Sequence, residues 1–377
     1  MPICGARRSA NGRCRAVSVP AGNSRGHVGK EAGVALFMCL HACGDGLFPL
    51  SCRTGMPETK QEGVSLGRAD IEHEPVLCGP LVSLVAPQSG EVVVDATVGH
   101  GGHARLMSLA VGREGRLIGL DVDEQNLARA GERLEAARRE GGAAFACYRA
   151  NFAALGEVLD QAGIEHVDVI LADLGLSTDQ MLDADRGLTF AQDGPLDMRI
   201  DPELKTTAAD LINRLSETEL SDLLWHNSQE RFSRRIARRI CEARREGRIR
   251  RTSELVRIVC AALGVRADSG HYRIHPATRT FLALRMAVNH ELENLRALLR
   301  AAPGRLRSGG RLAAISFHSG EDRVVKQDFL DRRRQGVYEI RTSKPVCASS
   351  EEIERNPRSR SAKLRVAVRT AAELPGP

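Results

Sequence analysis

Over residues 1–55 the chain shows no helical or strand period that lasts more than a few positions. From Glu91 the pattern of apolar and polar positions changes. Glu91-Val-Val-Val-Asp95 is a β-branched run bounded by acids and predicts a buried strand. A glycine-rich turn follows, Ala96-Thr-Val-Gly99-His-Gly101-Gly102-His103, and then a helical stretch carrying Leu106, Leu109 and Val111. Arg116-Leu-Ile-Gly-Leu-Asp121 predicts a second strand, Ala144-Phe-Ala-Cys-Tyr148 a third, and His166-Val-Asp-Val-Ile-Leu-Ala172 a fourth. Strands alternating with helices specify an α/β fold with a doubly wound parallel sheet. Its strand ends gather at one rim, so Asp121, Phe152 and Asp173 are expected to face a common crevice. Between Ala184 and about Gly270 strand character disappears. Ser216-Glu-Thr-Glu219 there reads as a capping box opening a helix, and Phe232, Ile236 and Ile240 recur every four positions as one apolar stripe.

Composition narrows the class. With 42% hydrophobic and 27% charged residues in 377, the chain can bury a large core and exceeds one ordinary domain. No apolar run reaches the ~18 residues of a membrane-spanning helix, so no membrane partner is expected. Ten cysteines without regular spacing argue against a disulfide framework and for a reducing, cytoplasmic setting. Net charge is +6, but residues 1–55 hold seven basic residues against two acidic ones, so the remainder is close to neutral. This first stretch has three readings: an arginine- and serine-containing transit-type leader, a metal group of Cys39, His41, Cys43 and Cys52, or either a disordered leader or a start assigned too early, with Met56 the true initiator.

Local segregation of charge says more than the total. Residues 231–251 hold ten arginines and two acids, too skewed for pairing along the helix. Arg231, Arg234, Arg235, Arg238 and Arg239 occupy the circumference left by the apolar stripe and are candidates for binding RNA phosphates. Arg355, Arg358, Arg360, Lys363 and Arg365 form a second basic group. Aromatics are only 3%, which excludes a sheet platform of the kind that stacks successive bases.

Strand, glycine turn, helix, strand and acid make the front half of a nucleotide-binding unit, with Asp121 lying 22 residues beyond Gly99 to meet ribose hydroxyls. Two features turn the ligand away from a dinucleotide. Arg105 stands near the third glycine's place, and Asp95 precedes the loop. A carboxylate there repels a pyrophosphate but suits the ammonium and sulfonium of S-adenosylmethionine.

At this point the sequence resembles the RsmH (MraW) family of bacterial methyltransferases. The matching stretches are His73-Glu-Pro-Val-Leu77, the Asp95–His103 loop, Asp173-Leu-Gly-Leu-Ser177, Asp193-Gly-Pro-Leu-Asp-Met-Arg199, His275-Pro-Ala-Thr-Arg-Thr-Phe281, Ser316-Phe-His-Ser319 with Glu321-Asp-Arg323, and Asn356-Pro-Arg-Ser-Arg-Ser-Ala-Lys-Leu-Arg365. They run in order from about residue 72 to 370. The resemblance implies a Rossmann-like S-adenosylmethionine-dependent methyltransferase core with an inserted helical domain. It implies methyl transfer to the exocyclic N4 of a cytidine in the decoding centre of 16S rRNA, with small-subunit RNA as partner. The implied cofactor residues are Gly101, Gly102, His103, Asp121, Phe152, Asp173 and Gln180. Asp173, Asp197 and His318 are the catalytic candidates, and no metal is expected. Thr178 and Asp179 stand where the family usually has Ser and Pro, and Gly320 where it has Leu.

The expected division is a leader over 1–70, core over 71–183, helical insert over 184–270, core and basic tail over 271–370, and a disordered end over 371–377. Two other classes remain open: another nucleic-acid or small-molecule methyltransferase, and a non-catalytic ribosome-assembly factor. The first would not need the arginine-rich insert, and the second would not need Asp121 and the glycines.

Overall fold

The computed structural model describes residues 15–16, 75–266 and 274–374. The expectations placed on the leader, on His73 and Glu74, and on residues 375–377 therefore fall outside the described residues.

Seven strands carry the fold: β1 (Val92–Asp95), β2 (Arg116–Asp121), β3 (Ala144–Arg149), β4 (Val167–Asp173), β5 (Leu306–Ser316), β6 (Tyr338–Ile340) and β7 (Lys363–Arg369). Their order across the sheet is β3-β2-β1-β4-β5-β7-β6. The first five are mutually parallel, and β7 runs antiparallel between β5 and β6. Two-residue strands at Arg15–Ala16 and Val346–Cys347 bring the sheet to nine. This is the doubly wound α/β arrangement expected from the alternation of apolar runs. From β1 the chain winds outward through β2 and β3, then crosses back to β4 on the other side. The switch lies between β1 and β4, where a crevice opens at the carboxyl ends of the strands.

Alternation along each strand sends neighbouring residues to opposite faces. Val93, Leu117, Val169, Leu171 and Ile315 pack on one face against α1 (Cys78–Val85), α2 (Gly102–Val111) and α3 (Glu124–Arg139). Val94, Ile118, Leu120, Ile170 and Leu312 pack on the other against α4 (Leu155–Gln161), α11 (Glu291–Arg305) and α12 (Ser319–Arg334). Being covered on both faces is why these strands read as continuous apolar runs.

Beyond β4 come α5 (Thr178–Leu182), an irregular strap, and then α6 (Ala208–Arg214), α7 (Glu217–Ser228), α8 (Ser233–Glu246), α9 (Thr252–Leu263) and α10 (Thr278–Val288). These last five share a third apolar cluster that includes Leu196, Ile212, Leu224, Ile236, Ile240, Leu255, Val259, Phe281 and Leu284. The capping box at α7 is formed: the Glu219 N–H donates to Ser216 Oγ, and the Ser216 N–H donates to Glu219 Oε2.

Three expectations need correction. The insert does not end at 270, because Phe281, Leu284 and Val288 of α10 fill the insert's own core, so the methyltransferase core resumes at α11. Phe232 does not share the buried stripe of Ile236 and Ile240. It sits at the N-cap of α8, outside the helical phase, and is 52% exposed. Arg365 does not join a basic surface. It lies on β7 with 6% exposure and pairs with Asp322 at 2.7 Å.

Candidate active site

The loop after β1 is tied to both neighbouring strands. The Ala96 N–H donates to Leu171 O and the Val98 N–H to Leu120 O, each at 2.8 Å. Gly101 then opens α2 at φ +78°, where a Cβ would also lie 3.0 Å from Ala130 Cα of α3. A Cβ on Gly102 would lie 2.8 Å from Pro75 Cγ. The two glycines therefore serve close packing as well as the turn. No side chain caps α2, so the amides of its first turn remain available to an anionic group at the crevice.

Three carboxylates end at the same rim. Asp121 accepts from the Gly99 N–H (2.9 Å), the Asp123 N–H (2.8 Å) and Asn126 Nδ2 (3.2 Å), so it also anchors the glycine loop. Burial pushes its carboxyl up to about 6 against those bonds. Asp95, 1% exposed, accepts from the Thr97 N–H at 3.2 Å, and burial pushes it up to about 7. Burial thus works against its charge, which weakens the simple charge reasoning from sequence; a bound cation would favour its ionised form. Asp173, at the end of β4, is fixed through its N–H on Thr97 Oγ1 at 2.6 Å. Its Oδ2 lies 3.5 Å from His103 Nε2, whereas its buried Oδ1 has no hydrogen-bond partner. Burial opposes charge on His103, but Asp173 and Cys78 outweigh it and hold the imidazole up at about 10. His103 thus faces one Asp173 carboxylate oxygen and leaves the other over.

The structure thus brings Gly101, Gly102, His103, Asp121 and Asp173 together. Phe152 is close by in the chain: the Ala150 N–H donates to Asp121 O at 3.0 Å, and Phe152 opens a short 3-10 turn, half-buried against the core. Gln180 is buried, but its amide is already engaged. Its Oε1 accepts from the Ser177 N–H and its Nε2 donates to Asp123 Oδ2 at 3.2 Å. The sequence reading missed Asp123, a hub that caps α3, receives Gln180 and pairs with Arg186 at 2.8 Å. An acid two positions past Asp121 at a helix start was the available signal. Also missed was a bridge across the crevice. Asp179 of α5 pairs with Arg129 and lies 3.6 Å from His100 of the glycine loop.

The remaining candidates lie further out. Asp197 gives both oxygens to Arg199 at 2.7 Å, on a cavity of about 190 Å³ lined also by Asp185, Arg186, Ile200 and Pro202. His318 is the N-cap of α12. Its Nδ1 accepts from the Gly320 and Glu321 N–H groups, which leaves Nε2 to carry the proton, 3.2 Å from Glu321 Oε1. Among the described residues one trio, Glu291, His318 and Glu321, brings candidate metal-ligand atoms within 4.8 Å of one another. Glu291 is already in a bidentate pair with Arg285 at 2.7 and 2.8 Å, so a guanidinium answers its charge. On α8 and the turn before it, Arg231, Arg234, Arg235, Arg238 and Arg239 are all exposed, and Arg239 pairs with Glu242 at 3.1 Å.

The MraW methylase family profile matches residues 70–370. The ribosomal RNA small subunit methyltransferase H of Syntrophobacter fumaroxidans is 45% identical over 310 residues, covering 78% of this chain and 95% of that protein. The protein of the same name from Koribacter versatilis is 44% identical over 306 residues, covering 80% and 96%. A putative rRNA methylase of known structure from Clostridium thermocellum superposes with a TM-score of 0.38 at 10% identity, over 78% of this chain and 94% of that one, a likeness that adds nothing to the assignment. With the family profile spanning the whole core and insert, and relatives this similar over nearly their full length, the chain belongs to the MraW methylase family.

Proposed function

We propose that this chain transfers a methyl group from S-adenosylmethionine to the exocyclic N4 of a cytidine in the decoding centre of 16S rRNA, in the cytoplasm. Family membership supports a methyltransferase acting on small-subunit ribosomal RNA. The observation that carries the rest is Asp173, whose buried Oδ1 accepts no hydrogen bond at the switch-point rim.

The residues fit the cofactor. Glycines at 101 and 102 leave backbone where a side chain would stand, the uncapped start of α2 suits a carboxylate, and Asp95 suits an ammonium. Asp121 retains lone-pair capacity for ribose hydroxyls beside its three protein donors. When bound, the cofactor supplies a methyl group on a positively charged sulfur.

The lone pair of a cytosine amine is delocalised into the ring, so the amine is a poor nucleophile. Catalysis then rests on placing it in line with the methyl group. Asp173 Oδ1 accepts an N–H of that amine, which favours a pyramidal nitrogen, and takes the proton that the amine sheds as the N–C bond forms and the methyl–sulfur bond breaks. His103 faces the other oxygen of the Asp173 carboxylate while the Thr97 hydroxyl holds the backbone N–H behind it. Arg231, Arg234, Arg235, Arg238 and Arg239 hold RNA phosphates, and the target base is extruded toward the rim.

The test is to incubate the protein with isotope-labelled S-adenosylmethionine and small ribosomal subunits, then map the label by mass spectrometry. Label on N4 of one cytidine is expected. Label on another base, on a ribose, or on protein overturns the assignment.

A further inference from the structure

Among the described residues, the aromatic side chains that stand exposed are Trp225, at 49%, and Phe232, at 52%. Trp225 lies in the last turn of α7 and Phe232 caps the start of α8, whereas the other described aromatics are at least half covered and the chain has a single tryptophan. Neither is a frayed residue. The hairpin beneath them is closed by a buried Ser221–Ser233 hydrogen bond of 3.2 Å. The Phe232 N–H is pinned to Glu230 Oε1 at 3.0 Å, and Glu230 is itself 4% exposed. Rigid backbone therefore holds two large rings out in water, against a hydrophobic penalty.

Their surroundings name a partner. Arg231, Arg234, Arg235 and Arg238 are exposed beside Phe232, on its turn and on the first turns of α8, while Trp225 stands one helical turn beyond the exposed Asp222 on α7. The turn also abuts the rim. Asn227 Nδ2 donates to Ala283 O at 3.0 Å, the Gln229 side-chain amide lies against the Arg323 guanidinium of α12, and a Cβ at Gly320 would lie 3.7 Å from Asn227 O. Gly320 lies in the first turn of α12, at the carboxyl end of β5, the strand beside β4 and Asp173.

We infer that Trp225 and Phe232 form a stacking site for unpaired nucleobases of the RNA segment whose phosphates the arginine face holds. The inference rests on the RNA-binding reading above and extends it. Flat rings stack on any base, and cations beside them hold the backbone, the combination by which single strands are bound without reading their sequence. A protein partner meeting these two rings would have to leave the arginines unanswered or bring a matching row of acids. A single-stranded RNA answers rings and charges together.

Because Trp225 is the sole tryptophan, the full chain reports on itself. The probes are a fluorescein-labelled single-stranded oligoribonucleotide and an abasic oligomer of the same length and charge. Tryptophan fluorescence should be quenched by the first and not by the second. Trp225→Leu and Phe232→Leu should each bind the base-bearing oligomer about tenfold more weakly, with affinity for the abasic one unchanged. Trp225→Phe should retain most of the affinity. Unaltered cofactor affinity in the leucine variants checks that they are folded. If the wild-type chain binds both oligomers equally, without quenching, and Trp225→Leu changes nothing, the stacking site is overturned while the RNA reading stands. If the wild-type chain binds neither, both fall.

Discussion

At the sheet rim, Asp95, Asp121 and Asp173 are drawn largely out of water, and two of them are pushed up to about 7 and about 6. On α8 and its leading turn, five arginines stand in solvent, and among the described residues Arg239 alone of them has an ion-pair partner. Both regions concentrate one sign of charge, but they act at different range. Buried carboxylates cost desolvation and interact strongly with whatever opposite charge completes them, nearly independent of salt. Exposed arginines cost little, reach about a Debye length, and weaken as salt rises. In the function proposed here, the first kind holds a small ligand in one geometry and the second collects a large polyanion.

The largest expected effect separates these regimes through pH. Asp95 has its carboxyl raised from 3.8 to about 7 in the folded chain, so the folded state holds its proton more tightly than the unfolded state. Its ionisation therefore removes stability as pH rises from about 4 to about 7. Asp95→Asn should gain on the wild type by about 4 kcal/mol across that window, read by denaturant unfolding at each pH. A gap that does not change with pH would mean that Asp95 titrates as it does in water. The same variant should bind S-adenosylmethionine more weakly, because it removes the carboxyl whose ionised form a cation would favour.

Next in size, Asp121→Ala should weaken S-adenosylmethionine binding by about 1.5–3 kcal/mol by calorimetry, the range for a hydrogen bond to a charged group. Added salt should change that loss little. Charge reversal at Arg234 and Arg238 should do the opposite. RNA affinity should fall, and the slope of log affinity against log salt should flatten by about 1.4 for two lost phosphate contacts, with cofactor affinity unchanged. Equal effects on both ligands would erase the distinction between the regions. Smallest, Ser216→Ala removes the cap of α7 and should lower stability by about 1 kcal/mol in thermal unfolding, leaving the cofactor site intact.

How much of this the sequence disclosed follows the same division. The rim was legible because strand ends are local. A β-branched run ending in acid says where Asp95, Asp121 and Asp173 stand, and parallel pairing gathers them. Oδ1 of Asp173, and the tie from Asp121 back to Gly99, were not legible, since both depend on contacts between distant segments. On α8 the four-residue period gave the arginine face and the burial of Ile236 and Ile240. It failed at Phe232 because periodicity holds only once the helix has begun, and a cap residue points where the turn sends it. The extent of the insert was misjudged for a related reason. α10 carries apolar residues suited to either core, and only packing shows that Phe281 and Leu284 belong to the helical cluster.

Strands β4 and β5 are hydrogen-bonded neighbours, yet the whole insert is threaded between Asp173 and Leu306. In a nascent chain this is the longest gap that the central sheet must close, and β7 cannot pair until β5 is in place. Loop-closure entropy grows only as the logarithm of length, but a disordered stretch of this size would still delay the rim's completion. An insert with its own buried apolar cluster changes the kinetics. An insert that folds first would act as a short rigid tether, and α8 with its arginines would be ordered before the crevice closes. Pulse-labelled hydrogen exchange during refolding should find α7 to α10 protected ahead of β5.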